Sequence, residues 1–153
     1  ARHRPALTID LTRTLSPEGR MKFMLLIYND TARLDALPAE EFDASMRECL
    51  AHADALRDDG HLLESRMLES PAGARSVRAR NGRLTTTDGP FAEAKEVLGG
   101  FNLIEAADMD EAVRIASEFP WVRTGCVEVR PVRDIDAVRR QVGAAGAAGS
   151  SPA

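Results

Sequence analysis

The first regular hydrophobic pattern of the chain follows Met21, where residues 23–28 form an uninterrupted apolar run. Side chains of a β-strand alternate between its two faces. One face would carry Phe23, Leu25 and Ile27, and the other would carry Met24, Leu26 and Tyr28. Because both faces are apolar, we expect this strand to be covered from both sides. Residues 1–20 show no sustained period and are expected to be an extension outside the core.

An amphipathic helix is predicted from Pro38 to Gly60. Apolar residues recur there at nearly helical spacing, at Phe42, Met46, Cys49, Leu50, Ala53 and Leu56. Glu40 and Glu41 in its first turn favour the positive end of the helix dipole, and Gly60 provides a C-terminal stop. The same spacing places His52 on or beside the solvated side of the helix.

A second helix is predicted after Asp108, which forms a capping pattern with Glu111. The apolar positions that follow are Ala112, Ile115, Ala116 and Phe119, and Pro120 ends the helix. Residues 134–142 are expected to form a short helical tail. Residues 143–153 are rich in Gly, Ala and Ser, and we expect them to be disordered.

Three further strands are predicted at residues 61–68, 98–105 and 126–132. Simple alternation in the first of these would place Leu63, Ser65 and Met67 on one face and Leu62, Glu64, Arg66 and Leu68 on the other. Between these strands, residues 75–80 and 83–87 flank Asn81-Gly82, a typical two-residue hairpin turn. The turn pairs Arg80 with Arg83, which gives the hairpin one apolar and one basic face.

The hairpin leads into the most constrained segment of the chain, residues 88–101. We expect the Asp88 carboxylate to accept backbone hydrogen bonds and fix a turn before Pro90, and Phe91 to anchor the loop by burial. Gly99 and Gly100 indicate a close backbone approach or a β-bulge where the next strand begins.

Without the hairpin, the order of elements is strand, helix, strand, strand, helix, strand. This order predicts an α+β, ferredoxin-like βαββαβ fold with an inserted β-hairpin, an antiparallel sheet and two helices on one sheet face. The opposite face would be left open although the first strand is apolar on both sides. We therefore expect a homodimer that forms through the open sheet face as a dimeric α/β barrel. A monomer whose hairpin covers that face is the alternative.

Composition restricts the classes of function. A chain of 153 residues with 44% hydrophobic residues is the size of one domain, which we place at residues 21–133 with a tail at 134–153. The net charge of −4 argues against a general nucleic-acid binder. Cys49 and Cys126 lie in apolar segments without metal-ligand spacing, which predicts reduced core thiols in a cytoplasmic protein and neither metal nor cofactor. No apolar run approaches the roughly 20 residues of a membrane span.

Several motifs together resemble the YCII-related family from Met21 to about Val132, and within it the branch named for the tetrapeptide Asp88-Gly89-Pro90-Phe91. The supporting segments are residues 22–28, 92–96, 98–101 and 127–131. The resemblance implies a ferredoxin-like protomer, a dimeric barrel and no established activity. It also implies a regulatory context linked to extracytoplasmic-function sigma factors, with a protein partner from that system.

Smaller members of the family carry a His on the first helix and an Asp at the end of the second, proposed as an acid/base pair. Our alignment places Cys49 and Phe119 at those two positions. Neither residue can replace a pair that titrates near neutral pH, and His52 lies about 300° around the helix from Cys49. The departure counts against a transfer of hydrolase or isomerase chemistry to this chain.

Candidate site residues cluster in the segment after the hairpin and on the last strand. The ligand-binding candidates are Tyr28, Asp88, Phe91, Lys95, Glu96, Glu128 and Arg130, with Asp88 and Glu128 also the candidates for catalysis. The simplest structural alternative is an ion pair between Glu128 and either Arg130 or Lys95. Desolvation of Glu128 or Asp88 would instead favour a general base.

We favour a non-catalytic dimeric barrel that binds a small ligand or a protein partner, with residues 88–100 shaping the mouth of the cavity. One alternative is a cofactor-independent acid/base enzyme that uses Glu128 or Asp88, with Lys95 or Arg130 holding an anionic substrate. A second alternative is an anion or nucleic-acid binder that uses the arginines Arg66, Arg75, Arg78, Arg80 and Arg83.

Overall fold

A computed structural model describes residues 19–144 and 146 and shows an α+β fold. Its strands are β1 (Met21–Asp30), β2 (Leu62–Met67), β3 (Arg75–Arg80), β4 (Arg83–Asp88), β5 (Glu96–Ala106) and β6 (Gly125–Pro131). Its helices are α1 (Thr31–Asp35), α2 (Ala39–Asp58), α3 (Met109–Ser117) and α4 (Ile135–Val142). Four strands form an antiparallel sheet in the order β2-β5-β1-β6. This order confirms the predicted ferredoxin-like arrangement.

The core lies between the sheet and helices α2 and α3. Phe23, Leu25 and Ile104 of the two central strands are fully buried there, against apolar side chains of both helices. Burial of each large apolar side chain contributes roughly 1.5–3 kcal/mol. The helix contributions come from Ala53, Leu56, Ala112, Ile115 and Ala116.

The predicted cap of α3 is confirmed. The backbone N–H of Glu111 donates to the Asp108 carboxylate at 2.8 Å, and the Glu111 carboxylate accepts from the Ala107 N–H at 2.6 Å. Two otherwise unsatisfied amides at the helix start are thereby bonded. The helical tail is also confirmed as α4, with Asp134 as its N-cap.

The hairpin β3–β4 forms its own two-stranded sheet, with the predicted pairing of Arg80 and Arg83. Asn81 and Gly82 have φ angles of 51° and 73°, the left-handed conformation that the two-residue turn requires. The apolar side chains of this hairpin remain in solvent, since Val77 is 62% and Leu84 is 74% exposed.

The sheet face opposite α2 and α3 carries Met24, Leu26, Tyr28, Phe101 and Leu103, and we call it the open face. All five side chains are partly exposed, and none belongs to the core cluster. The predicted apolar character of both sheet faces is therefore confirmed.

Three local predictions were wrong. Cys126 is exposed and is not a core thiol. His52 faces α3, where its Nε2 lies 3.2 Å from the Ile115 carbonyl oxygen and its ring meets Phe119 edge-on at 4.5 Å. Strand β2 contains a register shift between Leu62 and Glu64, so its faces do not follow simple alternation.

The structure also contains elements that the pattern did not predict, namely α1 and the 3-10 turns Pro71–Gly73 and Pro120–Arg123. The predicted extension falls almost wholly in residues 1–18, outside the described residues. The same holds for most of the predicted disordered tail, at residue 145 and residues 147–153.

Candidate functional site

The structure separates the predicted site residues into different places. Glu128 and Arg130 project from β6 onto the open face and pair with each other, with 3.6 Å between Arg130 Nε and Glu128 Oε1. Their side chains are 45% and 67% exposed. Lys95 does not join them, because its Nζ lies 3.6 Å from Asp30 Oδ2. Of the two predicted ion pairs, the chain therefore forms the one between Glu128 and Arg130.

Asp88 ends β4 with a side chain that is 94% exposed and lies 3.6 Å from Arg75 Nε. The prediction that its carboxylate fixes the following turn was wrong. The loop is held instead by the Gly89 N–H, which donates to the Ala74 carbonyl at 2.7 Å, and by the Ser76 hydroxyl, which donates to the Gly89 carbonyl at 2.9 Å. The Asp88 carboxylate therefore faces water and is held only by an exposed ion pair.

Phe91 is 79% exposed, so the prediction that it anchors its loop by burial was also wrong. Its carbonyl accepts a hydrogen bond of 3.0 Å from Arg78 Nη2, and this bond fixes the backbone without covering the ring. The ring borders a cavity of about 620 Å³ beside the hairpin, which we call the hairpin-side cavity. Of the residues predicted to bind a ligand, Tyr28, Phe91 and Glu96 line this cavity.

A second cavity, of about 420 Å³, lies between α2 and the sheet, and we call it the helix-side cavity. Most of its lining is apolar, including Ile27, Leu34, Phe42, Met46, Leu50 and Trp121. The charged residues that border it are Arg66 and Glu69. Arg66 is 64% exposed along its side chain and pairs with Glu64 Oε1 at 2.9 Å, and Glu69 is also exposed. The buried part of the cavity is therefore uncharged.

Polar groups without partners line this apolar space. Asn102 is only 3% exposed, and its carboxamide makes no hydrogen bond with the described residues. Ser65 lies opposite it on β2 and lines the same cavity. Asn29 contributes a buried Oδ1 that likewise has no partner among the described residues. An unbonded polar group in an apolar environment costs about 1–3 kcal/mol, so such groups point to a ligand.

Gly99 makes room for Asn29 in this arrangement. It is the extra residue of a β-bulge in β5, since Ile27 pairs with Gly100 and Tyr28 pairs with Leu98. A Cβ atom at Gly99 would collide with the amide nitrogen of Asn29. The bulge predicted from the glycine pair is confirmed, and its effect is to let the Asn29 side chain occupy the cavity margin.

Cys49 lines the same cavity as a neutral thiol. Burial raises its pKa, against the opposing effect of a hydrogen bond of 3.2 Å that Trp121 Nε1 donates to the sulfur. Phe119 also lines the cavity. Cys49 and Phe119 are therefore both part of this lining, and both carry groups that are uncharged at neutral pH.

The two cavities have a common boundary, which we call the shared wall. Residues 68–71, together with Val97 and Leu98, line both of them. The shared wall is tied to the bulge, because the Leu68 N–H donates to the Gly99 carbonyl at 2.8 Å.

Asn29, Ser65 and Asn102 were not among the predicted site residues. The one available indication was an amide inside an apolar strand, where Asn102 interrupts the run from Leu98 to Ile104. A buried polar side chain on a strand normally has a hydrogen-bond partner. The spacing of residues in the sequence does not indicate which group would lie next to Asn102. Within the described chain, no cluster of three or more His, Cys, Asp and Glu residues is arranged to hold a metal ion. None of the described helices is both long and apolar enough to cross a membrane.

Comparison with known proteins agrees with this fold. The profile of the YCII-related domain matches residues 21–136. A protein of Rhizobium meliloti (strain 1021), named only as uncharacterized, is 36% identical over 114 residues, which cover 73% of this chain and 92% of the relative. The profile match spans the four-stranded sheet, the hairpin and helices α1 to α3. The chain belongs to the YCII-related family.

Proposed function

We propose that this protein is a small-ligand-binding module whose ligand lies in the helix-side cavity. The carboxamide of Asn102 is the observation that supports the proposal, because it is 3% exposed, lines the cavity and has no partner among the described residues. Folding leaves this residue only 3% exposed without a side-chain hydrogen bond from the described residues, and a ligand would supply one. The apolar walls would contribute the remaining affinity.

These observations favour binding over the acid/base alternative. Asp88 is almost fully solvated, and Glu128 is paired with Arg130. Our alignment places Cys49 and Phe119 at the family's proposed acid/base positions, and both line the cavity as uncharged groups. The alternative of an anion or nucleic-acid binder gains little, since Arg66 and Arg75 are already paired with Glu64 and Asp88.

The open face supports a second part of the proposal, a homodimer. Its five apolar side chains are partly exposed in the single chain, and water contact with such a surface is unfavourable. A second copy that packs sheet against sheet would cover them and form a dimeric α/β barrel. Phe91 and the hairpin side chains Val77 and Leu84 would then have a neighbouring chain to contact.

The biological context of the module is proposed from resemblance. The tetrapeptide Asp88-Gly89-Pro90-Phe91 supports a place in the DGPF branch of the family. That placement supports a regulatory role linked to extracytoplasmic-function sigma factors, in which a small ligand controls a protein partner.

Binding can be tested with N-phenyl-1-naphthylamine, an uncharged aromatic dye that fluoresces in apolar sites. We expect saturable binding, with quenching of Trp121, which lines the cavity and is the single tryptophan of the chain. Ser65→Phe should fill the helix-side cavity and weaken binding by at least about tenfold, because the dye and the new ring need the same space.

Ser76→Phe is the matched control, since it introduces the same ring into the hairpin-side cavity. We expect it to change the affinity by less than about threefold. Loss of binding in Ser76→Phe with retention in Ser65→Phe would contradict the proposal and move the site to the hairpin-side cavity. Both variants are checked for folding by circular dichroism.

A further inference from the structure

The polar groups of the helix-side cavity specify a class of ligand. We infer that the cavity takes an uncharged aromatic molecule that carries a carboxamide, or another group with a hydrogen-bond donor next to an acceptor. This inference deepens the proposed function and rests on it. Three features of the cavity lead to it, namely its charge, its aromatic lining and its hydrogen-bonding groups.

The charge of the lining argues against an ionised ligand. The bordering charged side chains, Arg66 and Glu69, are exposed, and Arg66 is already paired with Glu64. The polar groups of less exposed lining residues are the carboxamides of Asn29 and Asn102, the Ser65 hydroxyl and the neutral Cys49 thiol. A carboxylate or ammonium group placed among them would lose its hydration without gaining a counter-charge, which is far more costly than transfer of a neutral group.

Aromatic rings line one side of the cavity. The rings of Phe42 and Trp121 are 6.2 Å apart between centroids and are tilted by 42°, and Phe119 lies in the same lining. Aromatic pairs are most favourable in tilted or offset arrangements at such distances. A flat aromatic ligand therefore finds suitable contacts along this side.

The hydrogen-bonding groups of the cavity lie on the strands of the sheet. The Asn102 carboxamide offers both a donor and an acceptor, and Ser65 adds a hydroxyl on the neighbouring strand. An amide of a ligand can satisfy both atoms of the Asn102 side chain at once. A carboxylate has acceptors only and would leave the oxygen of Asn102 unbonded.

The inference is tested with two probes of matched shape, benzamide and benzoate, titrated at neutral pH against the full chain with Trp121 emission as the readout. We expect benzamide to bind at least about tenfold more tightly than benzoate. In Asn102→Leu, benzamide binding should weaken by at least about tenfold, whereas binding of N-phenyl-1-naphthylamine should change by less than about threefold.

Asn102→Leu has a second readout that separates a binding role from a structural one. Because an unpartnered amide is replaced by an apolar side chain of similar size, the thermal midpoint of the ligand-free protein should rise. A fall in the midpoint would overturn the inference, since Asn102 would then support the fold. Equal or tighter binding of benzoate would overturn it as well.

The outcomes also separate this inference from the proposed function. If the dye binds in the cavity and benzamide has no advantage over benzoate, the class of ligand is wrong and the binding site stands. If neither the dye nor benzamide binds, both the binding site and the class of ligand are wrong.

Discussion

The two faces of the central sheet are built by the same strands and reach different degrees of burial. On the helix-covered face, Phe23, Leu25 and Ile104 are fully buried. On the open face, their neighbours Met24, Leu26 and Leu103 remain partly exposed. The hydrophobic pattern thus indicates that a sheet face is apolar and favours burial. It does not indicate whether the same chain or another molecule buries that face.

The largest expected effect is on the free energy of unfolding, when a large side chain is removed from one sheet face or the other. Phe23→Ala should lower the free energy of unfolding by about 3–5 kcal/mol, because it leaves a cavity in a closed core. Phe101→Ala on the open face should cost less than about 1.5 kcal/mol, because its ring is already partly in water.

Both values are measured by urea unfolding. The protein concentration is kept low enough that the free energy of unfolding does not depend on it. Equal losses in the two variants would show that the single chain already covers its open face. The difference between the two sheet faces would then disappear.

The second prediction concerns self-association through the open face. Leu26→Glu should raise the dissociation constant of the proposed dimer by at least about 100-fold, because it places an unpaired charge in an apolar contact. Sedimentation velocity measures the change in mass. Val113→Glu is the matched control, since Val113 is 48% exposed on α3, on the other side of the sheet.

We expect Val113→Glu to sediment like the unchanged protein. If the unchanged protein itself sediments as a monomer at working concentrations, the dimer proposal fails. The helix-side cavity would remain, because all of its described lining belongs to one chain.

The smallest expected effect is a pH dependence on the helix-covered face. Because burial raises the pKa of Cys49, the folded chain keeps the thiol proton at pH values where the unfolded chain has lost it. Stability from this group is therefore present at neutral pH and decreases as the pH rises above about 9.

Cys49→Ser has no such thiol and should reduce this alkaline loss by less than about 1 kcal/mol. Urea unfolding of both proteins at neutral pH and near pH 10 measures the difference. Identical alkaline losses would show that Cys49 does not contribute to the pH dependence.

The features that the sequence predicted well depend on local chemistry. The hairpin register follows from Asn81-Gly82, since few residues adopt two successive positive φ angles. The start of α3 follows from the reciprocal bonds of Asp108 and Glu111. The bulge at Gly99 follows from a glycine pair at the beginning of a strand. In each case, neighbours within a few residues decide the structure.

The candidate site could not be predicted because it depends on contacts between distant segments. Ser65 faces the helix-side cavity only because β2 shifts register after Leu62, which places it opposite Asn102. His52 turns away from solvent because the Ile115 carbonyl of α3 and the Phe119 ring, which follows that helix, lie against it. No periodicity in α2 or β2 contains this information.

The shared wall is one segment of the fold that borders both cavities. Its backbone is bonded to Gly99, the bulge residue beside Asn29, and its other side borders the cavity that Tyr28 and Phe91 line. The same few residues therefore form a face of each space, and the position of this one segment sets the width of both cavities.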